Sequence, residues 1–89
     1  MTDVTEILEE RGSRYGKFTE HARITQSIKH AMIDSPNWAT LPDDTREALD
    51  MIAHKIGRVL NGDPEYVDNF IDIAGYAQLV ADRLEGKVR

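Results

Sequence analysis

Apolar positions recur at helical spacing along most of the chain, and most regularly between Glu47 and Leu84. In the first arm of that stretch Leu49, Ile52, Ala53, Ile56, Val59 and Leu60 fall among polar residues so as to share one face of an α-helix. In the second arm Tyr66, Phe70, Ile73, Ala77, Val80 and Leu84 form another stripe, and Gly86 follows it as a stop. Between the arms, Asn61-Gly62 offers residues that tolerate a left-handed helix end, and Asp63-Pro64 offers an N-cap oxygen followed by proline at a first helical position. A connection this short makes successive helices antiparallel neighbours, so the two arms are expected to form a hairpin.

Two weaker patterns precede the hairpin. From Thr2 to Arg11, Val4, Ile7 and Leu8 lie on one side, Asp3 and Glu6 stand at capping-box spacing, and Gly12 is the expected stop. Arg11 to Phe18 then reads as a loop in which glycines separate cations and aromatics. Thr19 is the expected cap of a second helix that carries Ala22, Ile24, Ile28, Ala31 and Met32 as far as about Ile33. Asp34-Ser35-Pro36-Asn37 breaks it. Trp38 and Leu41 are expected to plug the connection, and Pro42-Asp43-Asp44 starts the next helix with acids at the positive end of its dipole. Without repeats or strand-like alternation, the expectation is an all-α single domain over residues 1–89, with two short N-terminal helices and two long ones.

Composition narrows the possible partners. Eighty-nine residues bury a modest core, so stability calls for added surface, most simply from another copy. The absence of cysteine removes disulfides, thiolate metal sites and thiol nucleophiles, and suits a reducing cytoplasm. No apolar run reaches the roughly 20 residues of a membrane span, and the opening residues are not a cationic leader. A net charge of -5 argues against a nucleic-acid backbone as the main partner.

The candidate chemistry sits on the long helices. Glu47, Asp50, His54 and Arg58 lie away from the apolar stripe of their helix, with Lys55 beside it. They read either as a solvated charged face or, if the next helix adds oxygens, as part of a metal or phosphate site. Asp68 and Asp72 are like charges at i,i+4, which cost about 0.2–0.5 kcal/mol on an isolated helix. Either Lys55 and Arg58 offset them as an ion-pair cluster, or a divalent cation does. Gly75 inside a helix costs about 1 kcal/mol relative to alanine and points to a close approach by a helix, subunit or ligand. Tyr76 is placed to hydrogen-bond Asp72 or Lys55. In the basic loop, Arg14 and Lys17 with the glycine amides would cradle a phosphate while Tyr15 or Phe18 stacks on a base; the alternative is an ordinary capped turn.

Arg14-Tyr15-Gly16, Lys55-Ile56-Gly57-Arg58 and, above all, Asp68-Asn69-Phe70-Ile71-Asp72-Ile73-Ala74-Gly75-Tyr76-Ala77 resemble a family of small phage and prophage helical proteins. That resemblance spans nearly the whole chain and implies a phage origin and a host cytoplasmic location. More distantly, the long hairpin resembles the all-α nucleoside triphosphate pyrophosphatases, the MazG and dimeric dUTPase group. Those enzymes hold Mg²⁺ with Glu-x-x-Glu on one helix and Glu-x-x-Asp on the next. The resemblance implies a MazG-like bundle and an Mg²⁺ site on Glu47, Asp50, Asp68 and Asp72, in which Glu47-x-x-Asp50 has one acid shortened and Asn69-x-x-Asp72 has one replaced by an amide. Nucleotide contacts are expected from Arg14, Lys17, Lys55, Arg58 and Tyr76. The expected function is to bind or hydrolyse a nucleotide with Mg²⁺; the alternative is a non-catalytic protein interaction module. Val67, Ile71, Gly75 and Leu79 lie off the hairpin stripe and are expected to form a homo-oligomer interface, unless the N-terminal helices cover them.

Overall fold

A computed structural model describes residues 3–89, and the described residues are all helix, turn and coil without a strand. Four helices follow in order: α1 (Val4–Tyr15), α2 (Phe18–Ile33), α3 (Asp43–Asn61) and α4 (Val67–Leu84), with a short 3-10 turn at Trp38–Thr40. Helix α3 is the spine of the molecule, packing against α4 on one side and α2 on another. The antiparallel hairpin of α3 and α4 is as its apolar spacing predicts. No helix of the described residues is long and apolar enough to cross a membrane.

Several boundaries differ from the sequence expectation, each for a physical reason. The Asp3 carboxylate does accept a hydrogen bond from the Glu6 amide at 3.0 Å, as an N-cap should, while Thr2 lies outside the described residues. Gly12 does not end α1; the helix runs through it to Tyr15 and stops at Gly16, where φ is 77°. The left-handed position is Gly16, one turn beyond the expected stop, because only there must the chain reverse toward α2. The expected basic loop therefore shrinks to Gly16-Lys17. Lys17 caps α2 without a side-chain hydrogen bond, so Thr19 is not the cap. Between the long helices, Asp63 accepts from the Glu65 amide in a local turn and α4 begins only at Val67.

Gly62 is not left-handed either, with φ -110°. Its service is close approach: a Cβ there would collide with the Arg14 carbonyl and the Tyr15 backbone. Asp63 N–H donates to that Arg14 carbonyl at 2.7 Å, and the Asn61 side-chain amide donates to the carbonyls of Tyr15 and Lys17, both at 2.9 Å. The end of α3 is thus tied to the α1–α2 joint by backbone groups that the joint would otherwise leave unpaired. At the other end the expected plug is present: Trp38 and Leu41 are half-buried, and Arg46 donates to the Trp38 and Ala39 carbonyls. Gly86, with φ 83°, ends α4 as expected.

Core formation within one chain is incomplete. Among the described residues only Ala48 and Ala53 are fully buried apolar side chains, and the radius of gyration is 15.1 Å against about 12 Å for a compact chain of this length. The face that α4 turns to α3 carries Asn69, Ile73, Tyr76 and Val80, which are buried or half-buried. Phe70, Ala77 and Leu84, expected on that stripe, are exposed. The seam is rotated from the expected stripe, and Lys55 of α3 meets Asp72 at its edge at 2.9 Å.

Candidate functional site

The acidic quartet does not come together. Because Lys55 meets Asp72, the antiparallel register sets Glu47 level with Val80 and Asp68 level with Val59, about 18 Å apart along the helix axis at 1.5 Å per residue. Glu47 instead lines a cavity with Asp44, Tyr76 and Arg83 near the start of α3. Among the described residues no three His, Asp or Glu side chains are grouped so as to hold a metal ion. The residues therefore do not fit the Mg²⁺ set that the resemblance implies. Of the two ways to offset Asp72, the ion pair is the one formed. Lys55 is only 11% exposed there and Asp72 44%, so replacing Asp72 by Asn leaves a largely buried ammonium with one weak acceptor. Asp72→Asn is expected to lower stability by about 1 kcal/mol in urea unfolding; an unchanged midpoint would show the pair to be energetically idle. Arg58, the other expected partner, turns away to α1.

What the fold does assemble is a cleft at the junction of α1, α2 and the C-terminal half of α3. It has a volume of about 680 Å³ and is lined by Leu8, Arg11, Gly12, Tyr15, Gly16, Lys17, Phe18, Thr19, His21, His54 and Arg58. Three of these are cations and two are histidines, and none is a carboxylate. Arg58 stacks on the Tyr15 ring at 4.1 Å from its centroid, which fixes the guanidinium plane beside the cleft. Phe18 stands at the rim, 79% exposed. Arg14 lies on the far side of Tyr15, over the Tyr66 ring at 4.9 Å and 3.8 Å from Glu10. Of the expected nucleotide contacts, Lys17 and Arg58 line the cleft, Arg14 flanks it, and Lys55 and Tyr76 belong elsewhere.

The floor of the cleft is a histidine pair that bridges α2 and α3. His21 Nε2 and His54 Nδ1 are 3.2 Å apart and share one hydrogen bond, with Thr25 Oγ1 3.4 Å from the same His21 nitrogen. His21 is buried, and its Nδ1 has no hydrogen-bond partner. Burial first, then the Arg58 charge, holds the His21 imidazole below its ordinary range, partly opposed by the nearby Gly57 carbonyl. His54 is pushed down to about 4, chiefly by burial, then by Arg58, His21, Lys55 and Lys29. Both rings are therefore neutral at pH 7. With Nδ1 engaged, His54 Nε2 is the nitrogen left without a hydrogen bond among the described residues.

Gly57 makes this crossing possible, since a Cβ there would collide with Thr25 Oγ1 and lie 3.0 Å from His21 Cε1. Within the chain it is Gly57 that meets a neighbouring helix, whereas nothing lies within 4 Å of a Cβ built on Gly75. The same helix-interior argument applied to Gly57 was the available signal for the crossing. His21 and Thr25, at i,i+4, could have supplied its partner face. The helical wheel placed His54 and Arg58 on a solvated side because it knew only the hairpin, and α2 covers that side.

Every residue of the cleft falls within residues 1–84, which match the model of a family described as a domain of unknown function, DUF6378. The chain belongs to that family. No curated protein and no solved structure matches it.

Proposed function

For this member of the DUF6378 family we propose nucleotide binding without turnover, in the cleft between α1, α2 and α3. One observation carries the reading: in a chain with 16 acidic and 11 basic side chains, this cleft is lined by Arg11, Lys17, Arg58 and two histidines and by no acid. A concave surface of one sign concentrates counter-ions and strengthens their local field. Arg58, with its plane set by Tyr15, presents a guanidinium fork suited to phosphate oxygens. Arg11 of α1 and Lys17 of the α1–α2 joint add charge, and His54 Nε2 adds a polar contact on the floor. Phe18 at the rim supplies an aromatic face for a base, a contact worth about 1–3 kcal/mol. Hydrolysis in the manner of the MazG group would need Glu47, Asp50, Asp68 and Asp72 around one Mg²⁺, and their register and the Lys55–Asp72 pair do not favour it.

Calorimetric titration with AMP, ADP, ATP and inorganic phosphate tests the proposal. Saturable binding is expected, tighter for the nucleotides than for phosphate. Lys17→Ala and Arg11→Ala, both at exposed positions, are expected to weaken it about tenfold each, the worth of one lost charge-assisted hydrogen bond. Phe18→Ala is expected to erase the preference for nucleotide over phosphate. No heat at millimolar ligand, or affinity unaffected by all three substitutions, would sink the reading.

A further inference from the structure

We propose that a second copy of this chain packs against the outer face of α4, about a two-fold axis near the helix midpoint, closing two hairpins into a four-helix bundle. The inference is independent of the nucleotide cleft, which lies on the other side of α3. It begins with exposed surface. Val67 is 60% exposed, Phe70 53%, Ile71 59% and Leu79 51%, with Ala74 and Gly75 exposed between them. Val67, Ile71, Ala74 and Gly75 follow one another at i,i+3 and i,i+4 spacing and so form a continuous strip, with Phe70 and Leu79 on its two edges. The N-terminal helices, which could have covered the strip, pack instead on α3.

The area fits a second copy. The chain exposes 6473 Å², whereas a compact monomer of this size exposes about 5,300 Å². The excess of roughly 1,200 Å² exceeds the about 800 Å² that each partner contributes to a standard interface.

Geometry favours self-pairing. Gly75 sits at the centre of Val67–Leu84, and the space around it is open. It forms a notch flanked by Ile71 and Leu79. A two-fold axis there sets notch against notch and lets two helix backbones approach closely. The same axis makes the helices antiparallel, opposing their dipoles favourably.

Sedimentation equilibrium at micromolar concentration is expected to give twice the chain mass. Ile71→Glu and Gly75→Arg are each expected to return it to the single-chain mass with helical circular dichroism retained, because both positions are exposed in the lone chain. A readout that needs no disruptive change uses the absence of cysteine. Gly75→Cys is expected to form a disulfide-linked dimer on air oxidation, while Gly12→Cys, equally open, is not. A wild-type monomer would leave the face to a different protein and overturn the proposal. An oligomer whose mass survives both disruptive substitutions, or equal cross-linking at the two cysteines, would overturn it as well.

Discussion

Gly57→Ala is expected to destabilise the protein by about 2 kcal/mol, although alanine is the better helix former. In an exposed helix interior the exchange gains about 1 kcal/mol. At position 57 the new methyl would collide with Thr25 Oγ1 and press on His21 Cε1 at 3.0 Å, and overpacking of this kind costs about 1–3 kcal/mol or more. The loss exceeds the gain because Gly57 is buried on both sides of the collision: Thr25 and His21 are themselves buried on α2, so neither can swing into solvent. For a domain of this length a loss of about 2 kcal/mol lowers the melting temperature by roughly 10 °C. Gly12→Ala, on the open surface of α1, is the control and is expected to raise it. Thr25→Ala removes the nearest colliding atom, so the double variant Gly57→Ala/Thr25→Ala is expected to recover part of the loss. A Gly57→Ala protein as stable as Gly12→Ala would show that α2 does not cross α3 there.

Mild acid is expected to weaken the fold well before its carboxylates protonate. His54 titrates at about 4 in the folded chain and near 6.5 when unfolded, so between those values the unfolded state binds the extra proton. Stability is then fully present above pH 6.5 and is lost as pH falls toward 4. His21, lowered by the same burial and by Arg58, adds a loss of the same sign. The charges that face the pair are cationic: Arg58 and Lys55 on α3 and Lys29 on α2. No anion among them rewards protonation. After allowance for solvent screening at the half-buried His54, its share is about 1–2 kcal/mol. Urea unfolding at closely spaced pH values from 7.5 to 4.5 measures it, with His54→Asn expected to flatten the curve. A wild-type midpoint independent of pH in that window would refute the neutral pair. Asp44, held below its ordinary range by Arg83, acts in a lower window and leaves this one clear.

How much of the fold was legible in the sequence depended on range. The helical period, the breaks at Asp34 to Asn37 and at Asn61 to Asp63, the stop at Gly86 and the acids opening α3 are local properties. Each is set by neighbouring residues through backbone sterics, capping or dipole, so four helices and an antiparallel hairpin followed from the chain alone. Even the Lys55–Asp72 pair was among the readings of two like charges one turn apart. The boundaries at Gly12, Thr19 and Pro64 failed because a residue's suitability for a cap does not oblige the chain to turn there.

The rest was decided by which faces meet, and a hydrophobic stripe does not fix that in a chain whose helices are apolar on more than one side. Phe70 and Leu84 have the right spacing for the hairpin and yet are exposed, because α4 packs on α3 through Asn69, Ile73, Tyr76 and Val80 instead. His54 and Arg58 look solvated until α2 and α1 arrive across α3. That arrival depends on Gly57, which offers α2 a gap, on Gly62, which leaves room for the α1–α2 joint, and on the Asn61 side-chain amide and the Asp63 N–H, which donate to its carbonyls. The acids that the sequence grouped are separated by the register, and the bases that it scattered between residues 11 and 58 are gathered into one cleft. Sequence determined the helices, since their causes lie within a few residues; only tertiary packing selected the site, since it joins side chains more than 30 residues apart across an interface that no local pattern encodes.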